Sequence, residues 1–374
     1  MKIAVVSSYA PSLVNFRGAL LASLADQGHE LTAFAPDFDR KTRDWLRERG
    51  IAICTVPIER TGTSPREDLR TLKALTLAFR KLKPDVVFTY TVKPVVWGTL
   101  AAFIARVPRR VAMVTGLGHA FTDTADRQSH VARIVRGLYA TALRAATCVI
   151  FHNDDDRQQF QREKLVPSDG RAVVVHGSGV DLARFEMQPL PPEPITFLLI
   201  SRLLAEKGVR EFVDAARIVK KSHPEARFRL VGPLDTNPSG IGQAEVDAWN
   251  EEGAVEVVGP LADVRDALTG CHVYVLPSYR EGLPRTNLEA MATGRAIITT
   301  DVPGCRHTVW PDNGILVPAR DAEALAAACI ELMGDMERMT AMGRASRCYA
   351  EDRFAVEKVN EAMREHITGQ TEAL

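Results

Sequence analysis

Short apolar runs alternate along this chain with segments whose apolar residues recur every three or four positions. The first half predicts strands over 2–8, 30–35, 53–56, 86–89, 110–114, 148–151 and 172–175. Between them lie helices over 16–27, 41–49, 66–82, 94–104, 129–146 and 155–163. The second half restarts the alternation, with strands over 195–200, 227–231, 255–258, 273–276, 296–300 and 315–317. Its helices are expected over 209–222, 264–269 and 322–333, after Pro284 where Leu288, Met291 and Ala292 share one side, and in the tail over 337–347 and 354–367. Strands separated by helices of this length imply parallel sheets covered on both faces. The fold class is α/β, doubly wound, and no internal repeat or low-complexity segment interrupts it.

The proline cluster Pro189-Leu190-Pro191-Pro192-Glu193-Pro194 reads as a linker between the two alternating halves. With 374 residues, the chain is too long for one ordinary core. Two domains are therefore expected, 1–187 and 188–352, followed by a C-terminal helical segment, 353–374.

Charge changes this picture. The formal net charge is zero, yet residues 1–187 carry 27 Lys and Arg against 19 Asp and Glu, and residues 188–374 carry 20 against 28. A basic first half suits an anionic partner such as a lipid surface or a diphosphate; alternatively the two halves attract one another. Six scattered cysteines, without a C-x-x-C or a Cys/His cluster, point to reduced thiols rather than a disulfide framework or structural zinc. Met1-Lys2 runs straight into an apolar strand, so no leader is expected, and the longest apolar stretch, 95–105, falls short of the roughly 20 residues of a spanning helix.

The chemistry concentrates after strand 273–276, in Ser278-Tyr279-Arg280-Glu281-Gly282-Leu283-Pro284-Arg285. A Gly-Pro loop running into a helix start offers backbone N–H groups at Gly282, Leu283 and the residues after Pro284, a seat for an anion. Glu281 and Glu289 flank it. Taken singly, the first reads as an acid favoured at a helix start and the second as a solvated helix residue. Arg202 and Lys207 stand directly after strand 195–200 and could clamp a diphosphate together with that helix start.

In the first half, the loop after strand 2–8 lacks G-x-G-x-x-G, so a nicotinamide or flavin is not expected. It offers Asn15 and Arg17 as a phosphate seat, or equally as an N-cap and a surface charge. The loop after strand 110–114 holds Gly116, Gly118 and His119. Asn153-Asp154-Asp155-Asp156 contains a D-x-D spelling, but Asn and Asp ahead of a helix are what capping requires, and no metal site is assigned to them.

The phrase from Val275 through Gly304, with E-x7-E formed by Glu281 and Glu289, resembles the retaining glycosyltransferases of family 4. The resemblance covers essentially the whole chain and implies a GT-B architecture: two Rossmann-like domains facing across a cleft, with the last helix crossing back to the first. It implies that Arg202, Lys207 and the amides of Gly282 and Leu283 hold the departing diphosphate of a UDP-sugar. Glu281 would hold sugar hydroxyls, Glu289 the ribose, Pro284 the turn, and Gly259 would pass near the nucleobase. His119 lies where many members carry a histidine near the donor sugar. No metal or other cofactor is expected.

The Asp235-Thr236-Asn237-Pro238 loop resembles the subgroup that builds polyprenyl-diphosphate-linked oligosaccharides, including N-acetylgalactosaminyl transferases. The expected acceptor is thus a polyprenyl-diphosphate-linked sugar, met by a cytoplasmic enzyme peripheral on the inner face of the cell membrane. The partner surface would be anionic lipid, not nucleic acid. Two alternatives are a non-hydrolysing UDP-sugar 2-epimerase, which would lack the Arg202/Lys207 and E-x7-E pairing, and a catalytically silent sugar-nucleotide-binding subunit. Intact Glu281, Glu289, Arg202 and Lys207 count against the latter.

Overall fold

The computed structural model describes residues 1–59, 64–116 and 130–370. The chain divides into two compact units, Met1–Ser178 with Glu357–Leu374, and Gly179–Val356. The division therefore falls ahead of the proline cluster.

Unit 1 is built on β1 (Lys2–Val6), β2 (Glu30–Ala35), β3 (Ala52–Thr55), β4 (Val86–Tyr90), β5 (Arg109–Val114), β6 (Cys148–Phe151) and β7 (Ala172–Val174). These form one sheet in the order β3-β2-β1-β4-β5-β6-β7, parallel at every pairing. Unit 2 has β8 (Thr196–Ile200), β9 (Arg227–Val231), β10 (Glu256–Gly259), β11 (Val273–Leu276), β12 (Ala296–Thr300) and β13 (Gly314–Val317). Its order is β10-β9-β8-β11-β12-β13, again all parallel. Every residue of β4, β6, β8, β11 and β12 is buried, as sheets with helices on both faces require.

Departures from the periodic pattern have local causes. The helix expected over 16–27 forms as Gly18–Asp26, and a separate short helix, Pro11–Asn15, precedes it in the segment expected as a loop; Arg17, whose φ of −124° and ψ of 2° leave the helical region, stands between them. The helix expected over 94–104 opens as a π turn, Pro94–Gly98, before continuing as Thr99–Ile104. Helix Gln243–Glu252 was not predicted: only Val246 and Trp249 on it are buried, too few to set a period. Asn153 caps Asp154–Arg162, its Oδ1 accepting from Asp156 N at 2.8 Å, so the aspartate run begins a helix.

The last helix, Val356–Thr368, buries Val359, Met363 and Ile367, which belong to the same apolar cluster as Ile3, Val5 and Leu24 of the unit 1 core. Arg109 closes its C-terminal end, donating from Nε to Ile367 O and from Nη2 to His366 O, both at 2.8 Å. Among the described residues no helix is long and apolar enough to cross a membrane. Met363→Ala is expected to destabilise unit 1 by about 2–5 kcal/mol. The measurement is a lower urea midpoint with an unchanged transition slope.

Candidate active site

In unit 2 the strand order runs outward in opposite directions from the adjacent pair β8 and β11. Such a switch point leaves a crevice outside the carboxyl ends of the strands, where doubly wound sheets bind ligands. The loops after β8, β9, β11 and β12 are fastened to one another there. Gly208 has φ +68°, and a Cβ on it would run into the carbonyl of Pro277 at the end of β11. Across that approach, Tyr279 N donates to Glu206 O at 2.9 Å and Ser278 Oγ to the same carbonyl at 3.1 Å. On the other side, Glu281 N donates to Pro303 O at 3.1 Å. A Cβ on Gly304, at φ +83°, would collide with the carbonyl of Glu281.

This scaffold sets the charged groups. Lys207, ending the turn Ala205–Lys207, pairs through Nζ with Glu281 Oε1, and both side chains are largely shielded from water. Ser278 Oγ donates to the same carboxylate oxygen at 2.8 Å. Arg202 Nη1 donates to Asp235 Oδ2 at 2.7 Å. Gly282 and Leu283 lie between Glu281 and helix Arg285–Ala292, whose N-cap residue Pro284 supplies no side-chain cap. The helix start is thus not closed by a side chain of its own.

Glu289 sits within that helix and is only 7% exposed. Burial pushes its carboxyl up from the ordinary 4.5, and Arg285, whose Nε lies 2.9 Å from Oε1, opposes the shift. Gly259 ends β10 at φ +79°, its carbonyl accepting from Gly232 N at 2.9 Å. Of the residues singled out from sequence, Lys207 and Glu281 are in direct contact. Arg202 and Glu289 are each held by a further residue, Asp235 and Arg285. Ser278 and Asp235 were missed as site residues: both stand in the quoted phrases, but only through-space pairing reveals what they hold.

In unit 1, Asn15 ends the first short helix and Arg17 precedes the second. Arg17 is buried, 4% exposed, so it is no surface charge. Its Nη2 lies 3.4 Å from His152 Nε2 and its guanidinium 5.6 Å from the centre of the Tyr90 ring. Burial, with Arg17 beside it, brings the His152 pKa down to about 3 and keeps the imidazole neutral. Tyr90 OH, Ser12 Oγ and Ser7 Oγ form a chain with 2.9 Å links at the carboxyl ends of β1 and β4, the switch point of this sheet. Nothing in the sequence marks His152 beyond its position directly after β6. His119 lies outside the described residues.

On helix His130–Ala145, Arg136 pairs with Glu163, and Arg144 Nη2 donates to Lys164 O at 2.7 Å. All six cysteines are free thiols.

Comparison with known proteins agrees with this geometry. Residues 2–153 match the family described as glycosyl transferase 4-like, and residues 194–335 match glycosyl transferases group 1. The N,N'-diacetylbacillosaminyl-diphospho-undecaprenol alpha-1,3-N-acetylgalactosaminyltransferase of Campylobacter jejuni is 31% identical over 350 residues, 90% of each chain. The UDP-Gal:alpha-D-GlcNAc-diphosphoundecaprenol alpha-1,3-galactosyltransferase of Escherichia coli is 25% identical over 72% of this chain and 71% of that protein.

Among solved structures, sucrose-phosphate synthase of Thermosynechococcus elongatus superposes with a TM-score of 0.78 at 20% identity, covering 98% of both chains. Anabaena HepE in complex with UDP and glucose gives 0.76 at 18%, over 99% of this chain and 100% of that one. The fold is GT-B, and the chain belongs to the group 1, family 4-like glycosyltransferases.

The buried Glu289 gives a pH signature. Its folded pKa is raised, so the native state holds this proton more tightly than the unfolded chain, and the ionised group costs stability above that pKa. Glu289→Gln is expected to raise the melting temperature at pH 7 while lowering transfer activity. The stability gain should shrink as the pH falls through the raised pKa and vanish below 4.5, the carboxyl's ordinary value. Arg285 keeps access to water in the variant, so its lost partner costs little. Scanning calorimetry across pH checks this; a variant less stable at every pH would refute it.

Proposed function

We propose that this glycosyltransferase moves an N-acetylhexosamine from a UDP-sugar to a hydroxyl of a polyprenyl-diphosphate-linked glycan, with retention at the anomeric carbon. The observation that carries this is the pairing of Lys207 with Glu281 at the carboxyl edge of β8 and β11. A cation and a carboxylate there suit a donor whose diphosphate and sugar need opposite partners. Support for the acceptor comes from the relatives named for transfer onto diphospho-undecaprenol-linked sugars. Support for UDP comes from the galactosyltransferase named for UDP-Gal and from HepE, solved with UDP and glucose.

In this mechanism the bond between the anomeric carbon and the diphosphate oxygen breaks as negative charge grows on the leaving group. Arg202, Lys207 and the amides of Gly282 and Leu283 stabilise that charge. Once the donor has drawn the two cations to its phosphates, these groups need little further rearrangement during the reaction. Glu281, already fixed by Ser278, turns to the sugar hydroxyls, and Glu289 takes the ribose. The acceptor hydroxyl attacks the face from which the diphosphate leaves and passes its proton to a phosphate oxygen of that group. Two cations and a helix start supply the positive charge a metal supplies elsewhere, so the reaction proceeds without one. The family resemblance assigns His119 to the donor sugar, and Asn15 with Arg17 seats the acceptor's diphosphate. The enzyme works as a peripheral protein on the cytoplasmic membrane face, its basic first half toward anionic lipid.

The direct test is a thermal-shift comparison of UDP, GDP and ADP without metal. A ligand at 100 times its Kd adds roughly 2.7 kcal/mol of stability. A response selective for UDP is expected; preference for another nucleotide would overturn the donor assignment. Lys207→Ala should lower kcat at saturating donor by about 10²–10³, the scale on which one donor to a developing anion contributes. Unchanged turnover would remove Lys207 from leaving-group stabilisation. Activity should persist in EDTA, and loss of activity restored by Mn²⁺ would rule out metal-independent transfer.

A further inference from the structure

The carboxylate that holds Arg202 is fixed far more firmly than the guanidinium it holds. Asp235 lies in the loop after β9, and that loop is sewn to the one carrying Arg202 and Lys207. Leu203 N donates to Pro233 O, Ala205 N to Ser239 O and Ile241 N to Leu203 O, all at 2.9 Å. A Cβ on Gly240 would meet the carbonyl of Asp235, so the loop closes tightly on itself. Within it, Asp235 Oδ1 accepts from Asn237 N at 2.9 Å, and Asn237 Oδ1 in turn accepts from Ser239 N and Oγ at 3.2 Å. Asp235 is thus pinned by its own turn with its side chain 19% exposed, whereas the Arg202 side chain is 53% exposed. The flexible partner is the arginine; a ligand can draw it away, and the carboxylate stays behind.

We infer that Asp235 is the resident counter-anion of Arg202, holding the guanidinium while the site is empty and reclaiming it when the nucleoside diphosphate product leaves. This rests on the reading of Arg202 as a donor-diphosphate ligand. A bound diphosphate must take Arg202 from Asp235, so the pair competes with product binding and its re-formation hastens release. A carboxylate serving only as a loop staple has the opposite signature: its removal loosens the loop and weakens binding.

The test is calorimetric titration of UDP and of inorganic diphosphate into the full chain and its Asp235→Asn, Arg202→Gln and doubly substituted variants, at low and high salt. Asn at 235 retains the oxygen that accepts from Asn237 N, so the turn is kept, and the melting temperature checks folding. Asp235→Asn is expected to bind both ligands about 2- to 5-fold more tightly at low salt, the range for a partly exposed ion pair, with a smaller gain at high salt. The product-inhibition constant for UDP should fall by the same factor, and the gain should disappear in the Arg202→Gln background. Equal or weaker binding by a folded Asp235→Asn, or a gain that survives without Arg202, overturns the inference alone. Binding of neither ligand by the wild-type chain overturns it together with the donor-site reading beneath it.

Discussion

Where Gly208 passes the carbonyl of Pro277 there is no room for a Cβ, and the geometry of the site in unit 2 depends on that approach. It brings the turn after β8 against the end of β11, which lets Tyr279 and Ser278 bond to Glu206 and sets Lys207 against Glu281. Gly304 makes a second approach, against the Glu281 carbonyl, so the segment carrying Glu281 is held on both sides by backbone that admits no side chain. The sheet order makes this possible: β8 and β11 are neighbours, and the loops leaving them meet only because the winding reverses there. Held in this way, the backbone that carries the charged groups keeps its position without help from a ligand.

Charge in such a place has to be balanced while the site is empty. Lys207 has Glu281, Arg202 has Asp235, and Glu289 has Arg285. The three pairs differ in what they cost. Arg202 is well hydrated, so its pair adds little to stability and gives way readily. Glu289 is buried, and its raised pKa shows that Arg285 does not fully offset the lost hydration. A carboxylate kept ionisable against its surroundings marks a place where stability has been given up, and such places favour function over packing.

The sheets were legible in the sequence because a strand buried on both faces has to be apolar throughout: Thr196-Phe197-Leu198-Leu199-Ile200 and Val273-Tyr274-Val275-Leu276 admit little else. Helix Gln243–Glu252 was not legible, since its acidic, half-exposed surface rests on two buried side chains. The short helix Pro11–Asn15 was hidden for a related reason: Leu13 is its one buried apolar residue, and a single position sets no period. Glu281, Glu289, Arg202 and Lys207 were singled out because they follow strand ends closely, the first two after 273–276 and the last two after 195–200. What the sequence withheld were partners. Nothing in the spacing of Asp235 and Arg202, or of Arg17 and His152, says that they touch, because their separations along the chain are set by the lengths of the intervening elements.

Unit 1 applies the same physics with different chemistry. Its sheet also reverses at an adjacent pair, β1 and β4, and there too a cation is drawn inward, Arg17 over the ring of Tyr90. The neighbour that receives Arg17 is an imidazole, and burial keeps it neutral. A protonated histidine would repel the guanidinium, and a carboxylate in its place would cancel the charge. Neutral His152 meets Arg17 without bringing a charge of its own. In unit 2, by contrast, Lys207 and Arg202 are each paired with a carboxylate, so the two sheets place a cation at the switch point against neighbours of different charge.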